Sequence, residues 1–208
     1  MTLAYVHRYL PPSDSDRRTL LLLHGTGGDE NDLLPLAEML APTAAVLSPR
    51  GDVVENGASR FFRRLAEGVF DLDDLRLRTD RLAAFLAEAA TTYGFDARQV
   101  VAVGFSNGAN IAASLLLMRA GTLRAAILFR PMVPFEPETQ IDLTGTSVYV
   151  AGGRSDPIVA PEQTRRLAEM LATYGADVTV AWSDGGHGLT RADVAGAEQW
   201  LDAALPAP

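Results

Sequence analysis

The feature that most constrains the fold is a regular alternation of short apolar runs with longer segments of helical periodicity. Six runs predict strands: Leu20–Leu23, Ala44–Leu47, Val100–Val103, Ala125–Phe129, Val148–Val150 and Val178–Trp182. Most of these runs are continuously apolar, as expected for strands that are covered on both faces. The alternation therefore predicts a mostly parallel, doubly wound α/β sheet with helices on both faces.

Several predicted helices have recognisable ends. Gly94 follows an apolar helical pattern that runs from 75 to 93, and Thr190 and Asp193 form a capping box before the last helix. We also predict a buried helix over 107–119, a helix around 167–174 and a more exposed strand over 5–10 near the sheet edge. Because no repeat or linker divides the chain, we predict one α/β domain over residues 1–208 without a large cap domain.

Composition limits the classes of partner and of chemistry. The net charge is −8 and no basic block is present, which argues against binding to a nucleic-acid backbone. The chain has no Cys, so disulfides, thiolate nucleophiles and cysteine-based zinc sites are excluded. Residues 1–12 lack the basic and apolar regions of a signal peptide, and no run approaches the roughly 18 apolar residues of a membrane span. We therefore expect a cytoplasmic protein without stable membrane insertion.

The strongest local signal is the pentapeptide Gly104-Phe105-Ser106-Asn107-Gly108. It directly follows a predicted strand and opens the predicted buried helix, which is the context of a nucleophile elbow. Such a turn strains the central residue and leaves no room for side chains two positions away on either side. The helix N-terminus then points at developing negative charge. We therefore predict Ser106 as a nucleophile, the alternative being a tight turn with a buried Ser.

A Ser hydroxyl needs a base to take its proton, and the chain has three histidines. His7 lies in the first predicted strand and His24 precedes a glycine-rich turn, so both favour structural roles. His187 lies in Asp-Gly-Gly-His-Gly, a loop between the last predicted strand and the last helix. Flanking glycines suit a side chain that projects into a site, and we predict His187 as the general base.

The third member of such a site is an acid that lies between Ser and His in chain order. Asp156 follows the strand that ends near Val150, and it would orient the His and stabilise its protonated form. Asp184 is the competitor because it is close to His187 in the chain. Asp156 is favoured because it lies at a strand end.

A second glycine-rich turn, Leu23-His24-Gly25-Thr26-Gly27-Gly28, follows the strand over 20–23. One oxyanion-hole N–H comes from such a loop and the other from the residue after the nucleophile. We assign these backbone donors to Thr26 and Asn107. The turn has neither the Gly-Lys-Ser/Thr ending of a phosphate loop nor the spacing of a dinucleotide site.

The irregular stretch over 49–70 has a length that is often functional, and it interleaves aromatic and cationic residues. In one interpretation its Phe residues pack on the core and its Arg residues face solvent. In the other, the Phe residues line a substrate pocket and an Arg from 60, 63, 64 or 130 contacts a substrate anion. The predicted pocket residues are Phe61, Phe62, Arg63, Phe70, Arg130, Met132, Ile158 and Leu189.

These motifs together support a family resemblance. Leu-His-Gly-Thr-Gly-Gly-Asp-Glu-Asn-Asp-Leu, Gly-Phe-Ser-Asn-Gly-Ala-Asn, Gly-Arg-Ser-Asp-Pro-Ile-Val and Gly-Gly-His-Gly-Leu resemble the carboxylesterase/phospholipase family of small α/β hydrolases. The resemblance spans residues 19–205, and the Arg-Phe-Phe and Phe-Arg-Pro-Met stretches are similar to its bacterial esterase branch. Acyl-protein thioesterases of this family usually carry Gln after the nucleophile, where this chain has Asn107.

The resemblance implies the α/β-hydrolase fold, a triad of Ser106, Asp156 and His187, and no metal or organic cofactor. It implies a small-molecule ester as substrate and, since members often form dimers, a homodimer as one expected assembly. The expected reaction is hydrolysis of small or monoacyl carboxylic esters through an acyl-enzyme. Two alternatives stay open: a lysophospholipase or acyl-protein thioesterase that acts on long chains, and a non-catalytic small-molecule binder on the same scaffold.

Overall fold

The computed structural model describes residues 3–206. In chain order the strands are β1 (His7–Leu10), β2 (Thr19–Leu23), β3 (Ala45–Pro49), β4 (Val53–Glu55), β5 (Ala58–Arg60), β6 (Arg64–Ala66), β7 (Val69–Phe70), β8 (Val100–Phe105), β9 (Ala125–Phe129), β10 (Ser147–Gly153) and β11 (Asp177–Ser183). The helices are α1 (Leu34–Leu40), α2 (Leu72–Tyr93), α3 (Asn107–Met118), α4 (Pro161–Thr173) and α5 (Arg191–Ala204). None of these helices combines the length and apolar character needed to cross a bilayer.

Seven strands form one twisted sheet in the order β1-β3-β2-β8-β9-β10-β11. β1 pairs antiparallel with β3, and every other neighbouring pair in this sheet is parallel. Parallel neighbours require crossover connections, and the helices between the strands provide them. The predicted α/β fold is confirmed, including the exposed strand at the edge of the sheet.

The sheet is covered on both faces, which explains why its central strands are apolar at every position. Leu21 and Leu23 pack with residues of α2, α3 and α4 on one face. Leu20 and Leu22 pack with residues of α1 and α5 on the other face. All four leucines are fully buried, so a continuous apolar run is what both faces demand.

Three helix boundaries follow from capping interactions. The side chain of Asp71 accepts a hydrogen bond from the backbone of Asp74 at the start of α2, and Gly94 ends this helix in the left-handed conformation. Thr190 and Asp193 form the predicted reciprocal capping box of α5. This capping box fixes where the helix begins, directly after the loop that carries His187.

α1 and the two short hairpins of the 49–70 stretch lack the sequence signals that predict the other elements. α1 has only seven residues and no side-chain cap, so it has few of the signals that mark a helix in a sequence. β4 and β5 form one hairpin, and β6 and β7 form another. Asn56 and Gly57 both have positive φ angles at the first hairpin's turn, as a two-residue turn of this kind requires.

Candidate active site

Ser106 lies at the sharp turn between β8 and α3, near the middle of the sheet. Its backbone has a φ of 52° and a ψ of −112°, a strained conformation for a residue with a side chain. A Cβ atom on Gly104 would lie 2.6 Å from the carbonyl oxygen of Gly108, and a Cβ atom on Gly108 would overlap the carbonyl of Leu23. Both glycines are therefore sterically required for the turn.

A hydrogen-bonded chain joins Ser106 to two side chains that come from distant parts of the sequence. The Nε2 atom of His187 lies 2.9 Å from the Oγ of Ser106. The Nδ1 atom of the same imidazole lies 2.9 Å from the Oδ2 of Asp156. The structure thus brings together the three residues that the sequence singles out as nucleophile, base and acid.

Asp156 is held as a carboxylate by its surroundings. Its Oδ1 atom accepts hydrogen bonds from the backbone amides of Ile158 and Val159, while its Oδ2 atom faces His187. Burial raises the pKa of Asp156, but the backbone amides and the imidazole outweigh burial and hold the pKa below its usual range. An ionised Asp156 favours the tautomer of His187 that carries its proton on Nδ1. The Nε2 atom is then free to accept a proton from Ser106.

Asp184, the other candidate for the acid, makes its contacts elsewhere in the protein, and so do His7 and His24. The side chain of Asp184 is almost fully exposed and lies 3.5 Å from that of Arg154. His7 hydrogen-bonds to the hydroxyl of Tyr93. His24 is buried and accepts a hydrogen bond from the amide of Gly51 through Nε2, and burial lowers its pKa. The ring of His24 supports the turn that contains Thr26, because its Nδ1 atom lies 2.6 Å from the carbonyl oxygen of Gly25.

Thr26 and Asn107 line the same cavity as Ser106 and His187. The turn that carries Thr26 is closed by a hydrogen bond from Gly28 N to Gly25 O, and Gly27 N donates to Ser59 O at 2.8 Å. Asn107 is the first residue of α3 and is nearly fully buried. Backbone amides at a helix start and in a glycine-rich turn are the usual donors of an oxyanion hole.

The cavity over Ser106 has a volume of about 310 Å³. Phe70, Met132 and Ile158, three of the predicted pocket residues, line it. Five further lining residues were not singled out as pocket residues by the sequence analysis: Glu67, Gly68, Phe105, Asn110 and Val159. Asn110 lies one helical turn after Ser106, and its side chain accepts a hydrogen bond from Met132 N. In the sequence, its place in Gly-Ala-Asn, directly after the nucleophile elbow, is the signal that could have identified it as a pocket residue.

Three predicted pocket residues do not reach the cavity. Phe61 and Phe62 are fully buried and belong to the core beside α2 and α3, so the interpretation in which they pack on the core is the correct one. Leu189 packs against the α1 and α5 side of the sheet and lines a separate surface groove there. The loop turns away from the site directly after His187, which explains the error.

Two predicted anion-binding arginines are also elsewhere. Arg63 is largely exposed and pairs with Asp71 at 3.1 Å and with Asp74 at 3.7 Å. Arg130 is fully buried, and its Nη2 lies 2.6 Å from the Oδ2 of Asp193. A guanidinium enclosed in this way has no face left for a substrate, so Arg130 does not line the pocket.

Arg60 and Arg64 do line the cavity, and both form ion pairs with the carboxylate of Glu55. Arg64 Nε donates to Glu55 Oε1 at 2.8 Å, and Arg60 Nε lies 3.4 Å from Glu55 Oε2. Arg60 also donates to the Oγ1 of Thr26 and to the carbonyl of Phe62. Burial, followed by the nearby charge of Arg64, lowers the pKa of Arg60.

Within residues 3–206 there is no group of three or more His, Asp or Glu side chains that could hold a metal ion.

Comparisons with known proteins agree with this architecture. The family model for the dienelactone hydrolase family matches residues 58–202. The putative hydrolase MhqD of Bacillus subtilis is 48% identical over 89% of this chain and 93% of its own length. A carboxylesterase of Bacillus cereus is 49% identical, with a TM-score of 0.93 over 95% of this chain and 93% of its own.

More distant structures extend the comparison. A structure of YahD with malic acid is 32% identical and has a TM-score of 0.88, covering 95% of this chain and 98% of its own. SOBER1 of Arabidopsis thaliana, at 20% identity and a TM-score of 0.72, shares the fold. The resemblance to small bacterial α/β esterases is confirmed. The chain therefore belongs to the dienelactone hydrolase family and is a hydrolase of the esterase type.

Proposed function

We propose that this protein hydrolyses carboxylic esters with small or single acyl groups, with Ser106 as nucleophile, His187 as base and Asp156 as the acid that orients it. The observation that carries the proposal is the pair of 2.9 Å contacts that His187 makes, one to Ser106 and one to Asp156. A base that touches both the nucleophile and a buried carboxylate is the arrangement of a serine hydrolase triad.

In the first half of the reaction Ser106 Oγ attacks the ester carbonyl while His187 Nε2 takes its proton. The carbonyl oxygen becomes an oxyanion, which the backbone amides of Thr26 and Asn107 stabilise. The protonated His187 then gives its proton to the leaving alcohol, and an acyl-Ser106 ester remains. Asp156 keeps the imidazolium oriented and compensates its charge throughout.

In the second half His187 takes a proton from water, and the resulting nucleophile attacks the acyl-Ser106 carbonyl. The same two amides stabilise the second oxyanion. His187 returns the proton to Ser106 Oγ as the C–O bond breaks, and the carboxylic acid leaves. The step consumes one water and restores the starting protonation of both side chains.

Two features support a small or monoacyl substrate. The cavity of about 310 Å³ is at the low end of the range for small-molecule sites. Its walls include the apolar side chains of Phe70, Met132 and Val159, which suit a short acyl group. The relatives named as a carboxylesterase and a putative hydrolase are in keeping with ester cleavage.

The decisive experiment replaces the nucleophile. We expect Ser106→Ala to lower turnover of p-nitrophenyl acetate by about 10⁴-fold or more while far-UV circular dichroism stays unchanged. The same variant should lose labelling by a fluorophosphonate probe. Ser147→Ala is the matched control, because Ser147 begins β10 at the opposite end of the sheet and should keep full activity. Retained turnover in pure Ser106→Ala protein would overturn the proposal.

A further inference from the structure

Arg130 is an unusual residue for the interior of this protein. It directly follows β9, has a φ of 54° and is fully buried. Its side chain forms an ion pair with Asp193, to which Nη1 and Nη2 donate at 3.1 and 2.6 Å. Burying a charged pair seldom adds stability over apolar side chains of similar volume, so stability alone is a weak reason for this pair.

The guanidinium also contacts β10, β11 and the loop that carries His187. Nη1 donates to the carbonyl of Ala151 at 3.3 Å, and Nη2 donates to the hydroxyl of Ser183 at 3.2 Å. Nε donates to the carbonyl of Gly186 at 3.0 Å, and Nη2 donates to the carbonyl of Gly188 at 3.0 Å. These are the carbonyls on either side of His187. In the part of the chain that the structure describes, neither carbonyl has another hydrogen-bond partner in the protein.

Apart from Arg130, the loop is held by a hydrogen bond from Ser155 N to Gly185 O and by the contact of His187 with Asp156. Gly186 and Gly188 are not in the left-handed region, and a Cβ atom on Gly188 would meet nothing within 4 Å. Glycine is therefore not sterically required there, and it adds backbone freedom. A Cβ atom on Gly153, by contrast, would lie 2.5 Å from the carbonyl oxygen of Gly186, so that glycine lets the loop lie against β10.

The anchor of Arg130 is rigid because Asp193 belongs to the start of α5. Its Oδ2 atom also accepts hydrogen bonds from the amide and the hydroxyl of Thr190. The guanidinium thus joins the end of β9, the start of α5 and both sides of the His187 loop. A planar group with five donors in a fixed fork can do this, whereas the ammonium of Lys cannot.

We propose that Arg130 is a positioning residue for His187: by binding the carbonyls of Gly186 and Gly188, it keeps the imidazole within hydrogen-bond distance of Ser106. This inference rests on the proposed role of His187 as general base. Arg130 does not touch the reacting atoms, and its effect passes through the backbone of the loop.

The test compares two leaving groups on one acyl chain. Ethyl butyrate needs a proton from His187 so that its leaving group departs as ethanol rather than as the strongly basic ethoxide, whereas p-nitrophenyl butyrate releases a stable anion without one. A misplaced His187 therefore lowers kcat/KM for hydrolysis of the ethyl ester more than for hydrolysis of the p-nitrophenyl ester. A smaller fraction of folded enzyme lowers the apparent kcat/KM for both esters by the same factor. The ratio of the two kcat/KM values therefore distinguishes a misplaced His187 from a loss of folded enzyme.

We expect Arg130→Lys to lower kcat/KM for the p-nitrophenyl ester about 10-fold and for the ethyl ester about 100-fold, mainly through kcat. Because Arg130→Lys could fail to fold, the double variant Arg130→Met with Asp193→Asn removes both charges and should show the same change in ratio. Arg18→Lys is the matched control, since Arg18 is also buried, pairs with Asp16 and donates to a backbone carbonyl, that of Leu205. It should leave the ratio unchanged.

The proposal is overturned if either folded Arg130 variant keeps the wild-type ratio, or if KM rises while kcat stays constant, because Arg130 would then act on substrate binding. It is also overturned if Arg18→Lys changes the ratio equally. Ser106→Ala and His187→Ala are run alongside. Activity retained in those variants would refute the proposed function itself and would thus be distinguished from a failure at Arg130.

Discussion

The side-chain oxygen of Asn107 accepts a hydrogen bond from the backbone amide of Phe61 at 2.8 Å. Two residues earlier, Ser59 O accepts a hydrogen bond from Gly27 N, next to Thr26. Residues 59–61 therefore contact both segments that carry the proposed oxyanion donors. The side chain of Asn107 thus connects the start of α3 to the segment that follows β5.

We predict that Asn107→Ala lowers kcat while leaving its own backbone N–H in place. The substitution frees the segment at Phe61, so the two oxyanion donors lose their fixed spacing, and we expect a loss of about 10-fold in kcat with little change in KM. Leaving the buried amide of Phe61 without a partner should also lower the free energy of unfolding by about 1–3 kcal/mol. Steady-state kinetics and urea unfolding measure the two effects, and an unchanged kcat would contradict the first.

A second prediction concerns the hydrogen bond from Arg60 to the hydroxyl of Thr26. Thr26→Val keeps the shape and the backbone donor but removes the acceptor, and we expect kcat to fall by about 3- to 10-fold. Thr26→Ser retains the hydroxyl and is the matched control. Equal kinetics for the two variants would show that the contact with Arg60 does not matter for turnover.

The third prediction concerns substrate charge. Because Glu55 pairs with both Arg60 and Arg64, we expect the enzyme not to prefer p-nitrophenyl hemisuccinate over p-nitrophenyl butyrate. Glu55→Gln removes the compensating charge, and we expect it to raise the relative kcat/KM for the hemisuccinate several-fold, about 3- to 10-fold. If the wild type already favours the charged ester strongly, the two arginines bind substrate anions despite Glu55.

The fourth prediction concerns stability in acid. Burial raises the pKa of Asp193, but hydrogen bonds from Arg130 and Thr190 outweigh it and lower the pKa overall; Asp16 behaves likewise against Arg18. A lowered carboxyl pKa contributes stability above the unfolded value of about 3.9, and this contribution is lost as the pH falls through the folded value.

We therefore expect the urea midpoint of the wild type to be nearly level between about pH 7 and 5 and to fall below about pH 4. The difference in unfolding free energy between wild type and Asp193→Asn should narrow as the pH falls below about 4. Asp184→Asn, at an exposed position, is the control and should show a constant difference. A gap for Asp193→Asn that stays constant down to pH 3 would contradict the prediction.

The fifth prediction distinguishes short from long acyl chains. A cavity of about 310 Å³ leaves little room for a long chain, so kcat/KM across p-nitrophenyl esters should peak at short acyl groups. A steep rise beyond about eight carbons would favour the lysophospholipase or thioesterase alternative, because each buried methylene adds about 0.8 kcal/mol of binding energy.

The fold was predictable because its signals are local. Continuous apolar runs such as Val100–Val103, the glycine after Tyr93 and the capping box at Thr190 each reflect a physical requirement of a single element. The residues around Ser106 were predictable for the same reason, because the turn excludes side chains at Gly104 and Gly108.

The pocket was less predictable because it depends on contacts between distant segments. Arg130 was expected at the cavity, but its partner Asp193 lies 63 residues further along the chain and nothing near Arg130 announces the pairing. Phe61 and Phe62 are flanked by arginines in the sequence, yet both rings are buried. Whether a loop aromatic faces a pocket or the core depends on the path of the loop, which composition does not encode.

His187 follows β11, the edge strand that pairs with β10, whereas Ser106 lies at the centre of the sheet. The proposed nucleophile and the proposed base are 81 residues apart, so a growing chain completes most of the sheet before His187 is made. We expect a ribosome-bound chain that ends before β11 not to react with an ester probe, even when its core has formed. Under the proposed mechanism, ester cleavage would therefore report that β11 and the loop after it have been made.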